Sequence, residues 1–144
     1  MSLDAYHQRQ VAAESPRQTE YRLFGRVTGA LIDAKEQALK GAALMKALDW
    51  NRRLWSTLAA DCSVDDNDLP QATRAQIISL SIYVSKSTSK VMRGEASIDD
   101  LIGINKIIME GLALQVRNER EAAERAENQQ AAPPPSLPLG GLVG

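Results

Sequence analysis

Histidine and cysteine are nearly missing from this 144-residue chain, which holds one of each, His7 and Cys62. A tetrahedral transition-metal site draws most of its ligands from these two types, so none can be assembled here, and no internal disulfide can form. Asp65, Asp66 and Asp68 surround Asn67 but lack the glycine and distal glutamate of a calcium loop, so they read as turn and cap residues. No metal or other cofactor is expected. There is no glycine-rich phosphate loop, no nucleophile elbow, and no His to pair with a Ser or Cys on a plausible element, so the expectation is a protein that is not an enzyme. Charge of one sign is also lacking: 17 Lys and Arg face 18 Asp and Glu, a net charge of -1. Neither a polyanion nor an anionic membrane is attracted globally, and with 4% aromatic residues there is no base-stacking platform, so RNA binding is not expected. No segment approaches the length of a membrane span, and Met1 to Gln10 lack the apolar run of a signal peptide. A cytoplasmic protein without membrane insertion is expected.

What is present is rich in Ala and Leu and poor in glycine outside the tail, a composition that favours helices. Leu44, Leu48, Asn51, Trp55, Leu58 and Cys62 recur at three- and four-residue spacing and so share one helix face. Trp55 is placed at the centre of the core, since a buried Trp removes more apolar surface than other side chains. Ser15, Pro16 and Gln18 form a helix start: an N-cap, a proline at the first position and a capping-box partner. The helix they open carries Tyr21, Phe24, Val27, Leu31, Ala34 and Ala38 on its apolar face and is expected to stop at Gly41. A second helix spans roughly 42 to 62, and Ser63 to Pro70 are turn formers. A third helix opens at Asp68 to Gln71, again at capping-box spacing, and Gly94 closes it. Within it Ser79 to Ser85 alternate like a strand, but Ile77, Leu80, Val84 and Val91 fit a helical face, and helix is the reading adopted. A fourth helix starts at Ser97 with Asp99 and Asp100 in its first turn, and buries Leu101, Asn105, Ile108, Leu112 and Val116.

The expected architecture is all-α: a bundle of about four helices over residues 15–116, an N-terminal arm over 1–14, a charged helical extension over 117–130 and a disordered Pro/Gly-rich tail over 131–144. Three side-chain expectations follow. Asn51 and Asn105, on apolar faces, must find internal hydrogen bonds. Arg74, a cation near a helix start, should have a carboxylate partner such as Asp61 or Glu20. Gly103 and Gly111 weaken the fourth helix, which points to close approach of another backbone, internal or a partner's.

Several stretches resemble the FlaF proteins of flagellated alphaproteobacteria: Glu20-Tyr21, Asn51-Arg-Arg-Leu-Trp55, Asp61, Asn67-Asp-Leu-Pro70, Arg74-Ala-Gln-Ile-Ile-Ser-Leu80, Val91-Met-Arg-Gly94 and Asn105-Lys-Ile-Ile-Met-Glu-Gly-Leu112. The likeness runs from about residue 3 to 115, with Thr73 where the family tends to have leucine. The resemblance implies a cytoplasmic factor for flagellin synthesis and export, a flagellin-binding chaperone acting with the regulator FlbT and the flagellar export apparatus. It brings no catalytic or metal residues. An apolar groove holding an amphipathic flagellin helix would be lined by Phe24, Leu31, Trp55, Tyr83 and Ile108, with Arg52 and Arg53 on its rim. Two other readings stay open: a post-transcriptional regulator acting on flagellin mRNA directly or through FlbT, and a passive assembly adaptor.

Overall fold

The computed structural model describes residues 14–131, and the calls on the N-terminal arm up to residue 13 and on the tail from 132 lie outside the described residues. Four helices follow one another: α1 Pro16–Glu36, α2 Gly41–Cys62, α3 Gln71–Met92 and α4 Ile98–Ala131. No strand occurs among the described residues, so the alternation at Ser79 to Ser85 lies within α3. The physical reason is that a lone seven-residue strand has no second strand with which to satisfy its backbone. Each helix packs on its neighbours in sequence and α1 closes the ring against α4, while the α3–α4 contact is the least extensive of the four. Connections this short leave successive helices antiparallel, the up-and-down arrangement of a four-helix bundle.

The start of α1 is built as its sequence demands. Ser15 Oγ accepts from the Gln18 amide at 3.2 Å, and Gln18 Oε1 accepts from the Ser15 amide at 2.9 Å. The end of α1 differs from expectation: the helix stops at Glu36, and the left-handed residue is Ala38, with φ 49°, rather than Gly41. The Ala38 amide donates to Lys35 O at 3.1 Å and the Leu39 amide to Ala34 O at 2.9 Å, the paired bonds of a Schellman motif, with Leu39 packed against the core. Gly41 instead enters α2, using a φ of 59°. The expected capping box at Asp68 is also absent. Asn67 organises that turn, its Oδ1 accepting from the Leu69 amide at 2.9 Å and its Nδ2 donating to Asp61 O at 3.1 Å, while Pro70 stands at the N-cap of α3 without a side-chain cap. A short polar side chain bonding its own neighbouring backbone outcompetes the longer-range box.

Leu31, Phe24, Leu48, Trp55, Ile77, Val84, Leu101 and Leu112 are buried along the bundle axis. Phe24 and Trp55 meet edge to face, their ring centres 5.3 Å apart. Helix α4 continues unbroken past this core, and every residue from Arg120 to Ala131 is exposed. Its 34 residues give a length of about 50 Å at 1.5 Å per residue, so the charged extension projects beyond its partners.

Candidate partner-binding clefts

A polar network sits inside the apolar core. The Trp55 indole N–H donates to Asn105 Oδ1 at 2.8 Å, and Asn105 Nδ2 donates to Asn51 Oδ1 at 2.7 Å and to Thr28 Oγ1 at 3.1 Å. This is the internal pairing expected of the two asparagines. It joins α1, α2 and α4 at one level of the bundle, leaving Asn51 Nδ2 without a protein partner. Arg74 is placed differently from its expected carboxylate pairing: Nε donates to Cys62 O at 2.9 Å and an Nη to Val64 O at 2.8 Å. Those carbonyls lie at the negative end of α2, where a cation completes the unsatisfied acceptors of the last turn.

A charged cluster closes the same end of the bundle. Arg17 is buried and pairs with Glu20 at 2.7 Å and with Asp68 at 3.4 Å. Burial raises the Glu20 carboxyl to about 7 against the pull of Arg17, and Asp61, Asp68 and Glu119 reinforce the rise. Burial also pushes the Cys62 thiol up, which leaves it protonated and inert near neutrality. Among the described residues no group of His, Cys, Asp and Glu is placed to hold a metal ion, and no helix is long and apolar enough to cross a membrane.

The seven residues singled out in the sequence do not gather into one groove. Phe24, Leu31 and Trp55 are buried, so they complete the protein's own core and present no surface in this bundle. Arg52 and Arg53 fork onto one carboxylate, Asp49, at 2.7 and 3.0 Å, on the outside of α2. Tyr83 is exposed on α3. Ile108 lines a cleft between α3 and α4, and Phe24 lies buried beneath one between α1 and α2. The core takes the bulky residues because one apolar stripe per helix is what a bundle of this size must bury.

The cleft that Ile108 lines lies between α3 and α4, where their contact is thin, with a volume of about 150 Å³. Thr73, Ile77 and Leu80 form one wall, and Ile107, Gly111 and Leu114 the other. No charged side chain lines it; Thr73, Gln76 and Gln115 supply its polar edge. Ile107 and Leu114 are 57% and 49% exposed, an outlay of apolar surface that the core does not use. Gly103 and Gly111 bracket Ile107 at four-residue spacing, and a Cβ added at either would meet nothing within 4 Å. Nothing inside the described bundle therefore needs these glycines. Sequence reading flagged the glycines and missed Ile107 and Leu114, because Ile108 and Leu112 matched the inner face and left their neighbours as ordinary surface. Their seven-residue separation, with Gly111 between, was the available signal.

Two wider clefts flank α1, one against α2 near Leu23 and Leu54 and one against α4 near Tyr21 and Arg117, of about 380 and 370 Å³. The fold is thus that of a small helical-bundle protein whose conspicuous surface features are shallow clefts between helices. Its sequence matches the family described as flagellar protein FlaF over residues 2–112, and the chain belongs to that family. The match ends where the buried core ends, at Leu112, ahead of the charged extension. No curated protein matches the chain. No solved structure matches it either.

Proposed function

We propose that this FlaF-family protein is a cytoplasmic, non-catalytic flagellin chaperone that also serves the regulation of flagellin synthesis and export, and that it holds an amphipathic flagellin helix against the α3–α4 cleft. The carrying observation is the apolar strip Ile107–Gly111–Leu114, in which a helix-weakening glycine faces open space between two exposed aliphatic side chains. Glycine in a helix interior costs up to about 1 kcal/mol relative to alanine, and it allows a second helix to approach closely. Flagellin's terminal helices must be kept apart before export, and an apolar strip beside a shallow cleft suits the apolar face of such a helix. FlbT and the export apparatus would then meet other faces of the bundle.

Because the cleft is lined without charge, affinity should depend on apolar anchors and hardly on salt. The test is titration calorimetry of the full chain with peptides of flagellin's terminal helices at two salt concentrations, on the wild type, Gly111→Leu and Leu114→Asp. Gly111→Leu improves helix propensity and fills the gap, so the fold is retained while affinity should fall by about tenfold or more. Binding that ignores both substitutions, or that collapses as salt is raised, would exclude this cleft and favour a basic surface such as that around Arg52 and Arg53.

A further inference from the structure

The cleft between α1 and α4 has a different chemistry from the one assigned to flagellin, and its occupant is inferred without that reading. Ala113, Val116, Arg117 and Arg120 line its α4 side, at the three- and four-residue spacing of a single helix face, and Gln18 and Tyr21 line its α1 side. The cleft lies where α4 leaves the bundle alongside the first two turns of α1, so Ala113 and Val116 are only half-buried and Tyr21 is 41% exposed. Gln18 Oε1 is taken by the Ser15 amide, which leaves Nε2 to donate. No carboxylate lines the cleft, and neither Arg117 nor Arg120 forms an ion pair among the described residues. Two cations three positions apart on a helix repel each other, and no ion pair within the described bundle offsets that repulsion.

We infer that this cleft docks an acidic peptide segment of a protein partner, with Arg117 and Arg120 taking two carboxylates about one helical turn apart while Tyr21, Ala113 and Val116 cover an aliphatic side chain between them. The planar fork of arginine matches a carboxylate with two parallel hydrogen bonds, and Arg and Tyr are among the types that dominate binding energy at protein interfaces. Charge also selects the class of occupant. Glu119, Glu121 and Glu124 stand on α4 among and just beyond the two arginines, so a continuous polyanion such as RNA, tracking along the helix, would meet carboxylates, whereas a short segment with one pair of acids does not. A volume of about 370 Å³ holds a few side chains. Ala113, Val116, Arg117 and Arg120 all lie beyond residue 112, where the family match ends, so the site is completed by the extension of α4.

The test is titration of the full chain with an acetylated peptide in which pairs of glutamates alternate with single leucines, followed by calorimetry and by nitrogen–proton NMR. The inference expects shifts confined to Gln18, Tyr21 and residues 113–120, and an affinity that falls by about tenfold or more between about 50 mM and about 300 mM salt. Arg117→Gln combined with Arg120→Gln should weaken binding by about tenfold or more with an unchanged melting curve, since both side chains are exposed. Arg52→Gln combined with Arg53→Gln, on the outside of α2, should leave binding unchanged. Equal loss in the two double variants would mean diffuse attraction to positive charge and overturn the inference, as would absence of binding, shifts at other residues, or equal affinity for the peptide with glutamines in place of its glutamates. Tighter binding of a uridine oligonucleotide or of inorganic phosphate at the same residues would assign the cleft to phosphate and overturn it too. The α3–α4 cleft is lined without charge, so salt should leave flagellin-peptide binding there nearly unchanged, and the two readings fail separately.

Discussion

Trp55 shows why a single residue can carry so much of this fold. Its ring fills the centre of the bundle against Phe24, and its N–H is one end of the chain of bonds through Asn105 to Asn51 and Thr28. Deleting the side chain removes both contributions, so Trp55→Ala is expected to cost about 3–5 kcal/mol. Trp55→Phe separates them: most of the apolar volume remains, but Asn105 Oδ1 loses its donor in a place water does not reach, a loss of about 1–3 kcal/mol. Chemical denaturation of the three proteins measures both steps. If Trp55→Phe were neutral, the hydrogen bond would contribute nothing to stability. Burial of Trp55 and internal pairing of the asparagines were legible from the face they share. The partner of Arg74 was not, because its acceptors are backbone carbonyls of another helix and carry no mark in side-chain composition.

Helix ends in this protein obey one rule with two different residues. After α3, Gly94 takes a φ of 73°, the Gly94 amide donates to Val91 O at 3.0 Å and the Glu95 amide to Lys90 O at 2.8 Å. After α1 the same pair of bonds forms around Ala38. A left-handed conformation costs a residue with a Cβ roughly 1 kcal/mol or more relative to glycine. Ala38→Gly is therefore expected to stabilise the protein by about 0.5–1 kcal/mol, raising Tm by about 2–4 °C, whereas Gly94→Ala should lower it by a similar amount. A thermal melt that moves the other way for Ala38→Gly would show that the freedom glycine gains in the unfolded chain outweighs the strain relieved. The stop of α1 was misread from sequence because glycine is the usual marker of that position, and here the marker stands three residues later and serves the entry to α2.

At the scale of the whole molecule, the cluster of Arg17, Glu20, Asp61, Asp68 and Glu119 links α1, the end of α2, the 63–70 turn and α4, and it makes stability depend on pH. Burial lifts Glu20 from 4.5 to about 7, so the folded state binds its proton more tightly than the unfolded chain does. That contribution is fully present below about pH 4.5 and is lost as pH rises through 7. Allowing for solvent screening at the edge of the bundle, the difference is about 1–2 kcal/mol. Denaturant midpoints should fall between about pH 5 and pH 8 in the wild type, and the fall should be much smaller in Glu20→Gln. Asp49, Asp99 and Glu95, held low by Arg52, Lys35 and Arg93, titrate below this window and do not blur it. A wild-type slope retained in Glu20→Gln would place the titrating group elsewhere.

The sequence by itself determined that the fold over residues 14–131 is helical, how many helices form among them, where most of these begin, and which stripe of each turns inward. These properties are local: they follow from the spacing of apolar residues, from capping side chains and from breakers a few positions apart. It also determined the family, through motifs that are long and ordered. Only the tertiary structure decided which apolar residues were left over. Ile107 and Ile108 are adjacent and chemically identical, yet one is buried and the other exposed, because burial depends on where α3 sits against α4 and not on either residue. For the same reason Phe24 and Leu31, named in the sequence as candidate groove residues, went to the core, while Gly111 and Leu114 came to border a cleft.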